Sequence, residues 1–112
     1  MNNTPTCNWI GKSGNSYKYH IYKLPPNFKN ASGNYIFTKL NTNNKWVPIY
    51  IGETKDLSER FDDHHKMPCI KRKGVTHIHA HLNQEGEVAR RQEESDLLDN
   101  YQNAKEPSGC NG

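Results

Sequence analysis

The chain has 112 residues, 32% of them hydrophobic, and a formal net charge of +3. That length suits one domain with a modest core, and six Tyr, three Phe and two Trp are too many aromatics for a disordered chain. The mild charge permits a polyanionic partner without demanding one, and no run of eighteen apolar residues exists to form a membrane-spanning helix.

In chain order, residues 1–16 are rich in Asn, Ser, Gly and Thr and predict a loose arm anchored only by Trp9 and Ile10. The opening MNNTPTCNWIG has no apolar run to serve as a signal peptide. YKYHIYKL (17–24) alternates with aromatic content and reads as a strand, which PPNFKNASG then breaks. NYIFTKL (34–40) and KWVPIYIG (45–52) flank the turn-forming NTNN and predict a hairpin. Pro48 lacks an N–H and points to an edge or a bulge there. Thr54 is a plausible N-cap with Asp56 in the first turn, and Leu57, Arg60, Phe61 and His64 share one helix face. Pro68 ends that helix or lies just past it. GVTHIHAHL (74–82) alternates as a further strand. EGEVARRQEESDLLDNYQ (85–102) is a helix with Glu94, Leu97, Leu98 and Tyr101 on one face. The order β, hairpin, α, β, α predicts an α/β fold with a small antiparallel sheet flanked by helices.

Cys7, Cys69 and Cys110 are odd in number, widely spaced and without a CxxC pair. That argues against a disulfide framework and for a reducing compartment, so a soluble cytoplasmic protein is expected.

Several residues invite chemistry. Lys66, Lys71, Arg72 and Lys73 lie in a stretch with no acid, which suits either a solvated loop or phosphate contact. Arg60 and Glu94 sit on helix stripes expected to face the sheet, where a charge must be paired or bind a metal. One reading is a salt bridge at the core edge. The other is a phosphodiester site, with Arg60 on the phosphate, Glu94 as a hard oxygen ligand for Mg²⁺, and His64 or a tyrosine handling the proton. Tyr35 and Tyr50 read equally as ordinary cross-strand aromatics. His77, His79 and His81 alternate on one strand face, a spacing that could chelate zinc.

GNYIF (33–37), YIG (50–52), an arginine ten residues after the second tyrosine, and a glutamate followed by SDLL together resemble the GIY-YIG nuclease family over about residues 33–111. The resemblance implies a nuclease-like domain over 33–112, made of three core strands with helices. Residues 1–32 would be an arm with an accessory strand. It implies a divalent-metal-dependent endonuclease acting on DNA, in repair or restriction, with one Mg²⁺ or Mn²⁺ ion and no membrane partner. A homodimer or a recruiting protein partner is compatible with it. By position, Tyr35 would help activate the attacking water, Tyr50 would orient that water or the phosphate, and Gly52 would let the backbone pass close by. Arg60 would bind the scissile phosphate, His64 would stand near the nucleophile, Glu94 would hold the metal, and Asn111 would support the site. Glu53 stands where relatives often carry lysine.

Overall fold

The structure is a computed structural model that describes residues 4–59 and 64–112. Five strands form one antiparallel sheet: β1 (Thr6–Ile10), β2 (Ser16–Lys23), β3 (Gly33–Leu40), β4 (Trp46–Thr54) and β5 (His77–Leu82), in the spatial order β1-β2-β5-β3-β4. Helix α1 (Met67–Arg72) and helix α2 (Glu87–Asn100) accompany it, with 3₁₀ turns at Leu57–Glu59 and Gln102–Ala104. The α/β class with an antiparallel sheet and helices agrees with the sequence. The strand count differs: five, against three core strands and one accessory strand.

The added strand is β1, within the expected arm. Trp9 orders it, because a large indole is buried to 4% exposure and donates its N–H to Nδ1 of His79 at 3.0 Å. The following turn is tied to α2, where the Ser13 N–H and the Tyr17 hydroxyl both donate to the Asp96 carboxylate. These anchors lie in α2 and β5, far along the chain, so local composition could not show them.

The β3–β4 hairpin forms as its turn residues dictate. Asn41 accepts the N–H groups of Asn43 and Lys45 on its side-chain oxygen, and Asn44 adopts φ 58°, a left-handed conformation that Asn tolerates. Phe37 pairs with Tyr50 and Thr38 with Pro48, so Ile49 is the extra residue of a bulge beside the proline. β4 is also the last strand of the sheet, so both readings of Pro48 hold.

The first helix is corrected. Thr54 ends β4, and its hydroxyl does accept the Asp56 N–H, but Leu57–Glu59, inside the expected helix, form a 3₁₀ turn. Arg60 and Phe61 lie outside the described residues. Pro68 sits in the first turn of α1, where a missing N–H costs nothing, so it opens a helix instead of closing one. The cysteine reading is corrected too: Cys69 of α1 is bonded to Cys110. Their separation of 41 residues hides the pair from a spacing rule, and closing such a loop restricts the unfolded chain by about 4 kcal/mol in chain-entropy terms. Among the described residues no helix is long and apolar enough to cross a membrane.

Two cores lie on opposite faces of the sheet. Tyr35, Phe37, Ile78 and Ala80 pack with Ile70 of α1 and the disulfide. Trp9, Tyr19, Ile36 and Ile51 pack with Leu97 of α2. His79 is fully buried on the α2 face between Trp9 and Trp46. Burial, with the charge of His77 second, pushes its pKa down to about 3. The folded state therefore holds it neutral, and its contribution to stability is complete above the unfolded value of 6.5. It is lost as pH falls from there toward 3. Relative to a His79→Phe variant, the wild type should lose about 1.4 kcal/mol of urea-unfolding free energy per pH unit between pH 6.5 and 4.5. A difference that does not vary with pH would contradict a neutral His79.

Candidate functional site

Strand register sets His20, Ala80, Tyr35 and Gly52 side by side across the sheet, with Tyr22, Ile78, Phe37 and Tyr50 in the next row. A Cβ at Gly52 would stand 2.6 Å from both the Cζ and hydroxyl oxygen of Tyr35. The glycine of YIG is thus the space into which the tyrosine of GNY folds. Gly33 is equally constrained, since a Cβ there would lie 2.5 Å from the His81 carbonyl oxygen. The Tyr35 and Tyr50 rings stack at 6.1 Å and 22°.

His64 completes the cluster. Its Nε2 lies 2.8 Å from the Tyr35 hydroxyl oxygen, and its ring meets Tyr50 edge-to-face at 4.7 Å. The Lys66 backbone N–H donates to Nδ1 at 3.0 Å. In the neutral ring the proton therefore sits on Nε2, which donates to Tyr35. For His64 to accept a proton, Nδ1 must first release the Lys66 N–H. Tyr35 and His64 are 2% and 3% exposed, whereas Tyr50 is half-buried and His65, stacked on His64 at 4.8 Å, is exposed.

Glu94 comes from the other face. The buried stripe of α2 is Arg90, Glu93 and Leu97, with Glu94 half-buried beside it. Burial first and the Glu53 charge second push the Glu94 pKa up to about 7. The Glu53 backbone lies close to the Glu94 carboxyl and partly offsets this upward shift. Glu53 is itself gripped by Arg90, Nε to Oε1 at 3.0 Å. The tyrosine–histidine cluster and Glu94 thus approach the same short stretch of β4, Tyr50 to Glu53, from its two faces.

Sequence register leaves Glu93 as the alternative to Glu94 and favours Glu94 for its place on the Leu97 and Leu98 face, yet Glu93, at 4% exposed, is the more deeply buried of the two. It accepts from the Tyr19 hydroxyl at 2.6 Å, from the Asn83 amide at 3.4 Å, and pairs with Nδ1 of His81 at 2.9 Å. These donors offset its desolvation. The hydrogen bond to Glu93 raises the His81 pKa, while burial and Glu93 hold the Tyr19 hydroxyl well above its ordinary value. Its spacing of four from Leu97 was the available signal.

Asn111 grips β4 with both ends of its amide, accepting the Ile51 N–H and donating to the Ile51 carbonyl, each at 2.9 Å. It acts as a one-residue strand on the outer edge of β4, directly between Tyr50 and Gly52. The basic stretch is helix α1 and its end, not a loop. Lys71 and Arg72 are exposed, Lys66 pairs with Glu106 at 3.5 Å, and Lys73 donates to the Pro107 carbonyl at 2.6 Å. Arg60 lies outside the described residues. The three strand histidines share a face but have separate partners: His77 meets Trp46 and Thr76, His79 meets Trp9, and His81 meets Glu93. Among the described residues no group of three His, Cys, Asp or Glu is arranged to hold a metal ion.

Comparison of the chain with models of protein families, with curated proteins and with solved structures gives no match. The likeness to GIY-YIG nucleases therefore rests on the motif residues themselves.

Gly52→Ala should destabilise the fold by about 1–3 kcal/mol, because the Tyr35 ring must move off β4. Asn111→Ala should cost a similar amount by removing two hydrogen bonds to the β4 edge. Urea unfolding measures both, and a loss below 0.5 kcal/mol in either would deny the contact its role.

Proposed function

We propose that the protein is a divalent-metal-dependent endonuclease of the GIY-YIG type that hydrolyses DNA phosphodiester bonds. The observation that carries this reading is the Tyr35–His64 hydrogen bond at 2.8 Å with Tyr50 stacked beside it. That cluster lies on the sheet face that packs against Cys69 and Ile70 of α1, the helix that also carries exposed Lys71 and Arg72.

On this reading Arg60, with a fork that fits phosphate oxygens, binds the scissile phosphate. Tyr50, the more exposed tyrosine, orients the phosphate or the attacking water. Tyr35 holds that water through its hydroxyl. Nε2–H of His64 orients Tyr35 in the resting site, and once Nδ1 has released the Lys66 N–H, His64 takes up the proton that the attacking water loses. A divalent ion fits the chemistry at Glu94: a half-buried carboxyl whose neighbour is Glu53 gains from a cation. When bound there, Mg²⁺ or Mn²⁺ supplies neutralisation of the charge that builds on the phosphate. Lys71 and Arg72 meet the DNA backbone away from the cut. Glu53, where relatives often carry lysine, is taken up by Arg90 and so does not face the phosphate as a free charge.

A second reading, a nucleic-acid-binding module that cuts only with a partner, is favoured by the 2% and 3% exposure of Tyr35 and His64. A plasmid-nicking assay with Mg²⁺ and Mn²⁺ separates the two. Nicking by the wild type, abolished in Glu94→Ala and in Arg60→Ala with circular dichroism unchanged, is expected. Wild-type rates in either variant would sink the mechanism, and salt-sensitive binding without nicking would establish the module. Nicking should persist in thiol reductant, because Cys110 and Asn111 also hold β4 through the Ile49 and Ile51 backbones.

A further inference from the structure

The face that carries Tyr35 also holds a cavity of about 480 Å³ that the mechanism above does not use. Its size falls in the range of small-molecule sites. Ala80 lines it, and across the sheet Ala80 sits between His20 and Tyr35. Its short side chain is what leaves the space, one strand spacing (about 4.8 Å) from the candidate active site. Tyr22 and Phe28, edge-to-face at 4.9 Å and 86°, form an aromatic wall. Exposed Asn27 offers an amide with both donors and an acceptor. Lys29 is exposed, and among the described residues no carboxylate lines the cavity. Nδ1 of His20, also at this cavity, is buried without a hydrogen-bond partner.

These features select a ligand with a flat apolar face, a hydrogen-bonding edge and a negative charge. A nucleobase carrying a phosphate has all three. We propose that the cavity receives one unpaired nucleotide of the strand that passes over Tyr35, its base against Tyr22 and Phe28 and its phosphate toward Lys29. The link to the strand over Tyr35 rests on the nuclease reading. A base inside a duplex is stacked and paired, so only a nucleotide in a flap, gap or bulge enters without an unpairing cost. The substrate class is then nucleic acid with an unpaired nucleotide beside the scissile phosphate.

The test is binding in EDTA, where no cutting occurs, of two DNA probes of equal length. One is a duplex with a single-stranded flap that carries 2-aminopurine, and the other is fully paired. Stacking in the cavity should quench the 2-aminopurine. Ala80→Leu, which fills the cavity, and Lys29→Glu, on the surface, should each weaken flap binding about tenfold while leaving duplex binding unchanged. Equal losses on both probes, no loss on the flap, or no binding of the flap by the wild type overturns the proposal. Lys29 is exposed, so its variant decides the matter even if Ala80→Leu does not fold. Absence of nicking in Mg²⁺ with the flap preference intact would overturn the nuclease reading and leave the cavity assignment standing.

Discussion

Tyr35 lies across the strand pair from Gly52, and the volume left by the missing Cβ is filled by the tyrosine's own ring and hydroxyl. This packing depends on register. A slip of one residue would turn every side chain of β3 to the other face, carrying Tyr35 away from His64 and into the core under α2. The bulge at Ile49 and the double grip of Asn111 on Ile51 hold that register from the other end of β4. Edge strands are vulnerable to stray pairing. Here the C-terminal segment covers the edge, with the Cys110 N–H donating to the Ile49 carbonyl at 2.7 Å. The disulfide to α1 closes the same arrangement, so one covalent bond connects the helix beside His64 to the segment behind Tyr50.

The two sheet faces solve different problems. The α1 face is largely apolar and aromatic; Tyr35, Tyr50 and His64 gather at one end of it, and His20 and Tyr22 lie across β5 at the cavity. The α2 face buries a chain of polar groups. Tyr19, His81 and Asn83 converge on Glu93, the Asn83 amide also donates to the Asn34 oxygen, and the Asn34 amide donates to the Arg90 carbonyl. Each member is satisfied, which is the condition for such a network to be tolerated in a low-dielectric interior. It fixes α2 against β3 and β5, and so determines where Glu94 meets Glu53. The placement of Glu94 is therefore a consequence of Glu93, its neighbour in sequence but not in role.

Much of this was legible before folding was considered. Alternation located β2 and β5, the turn-forming NTNN between two apolar runs located the β3–β4 hairpin, and the helix-forming run located α2. The glycines and tyrosines of the two tripeptides stood out because their spacing matched a known pattern. What escaped notice depended on partners distant in the chain. β1 needed Trp9 to find His79, seventy positions on. Cys69 needed Cys110. Glu93 needed Tyr19 from β2 and His81 from β5. The stretch after Thr54 carried genuine capping chemistry, and the pattern of Leu57 and His64 suggested one continuous helix. Instead Leu57–Glu59 form a 3₁₀ turn and α1 begins at Met67, because a proline is better placed in a helix's first turn than at its end.

By itself the sequence determined the strand periodicity, the hairpin turn and the candidate polar residues, because each follows from local stereochemistry or residue type. Only the tertiary structure decided which of those residues meet. Sheet order brings Tyr35 between Ala80 and Gly52. The approach to α1 carries His64 to the Tyr35 hydroxyl, and α2 brings Glu94 to the same stretch of β4 from the other side. Such contacts arise between side chains whose common position is fixed by packing, and packing is a property of the whole chain rather than of any segment in it.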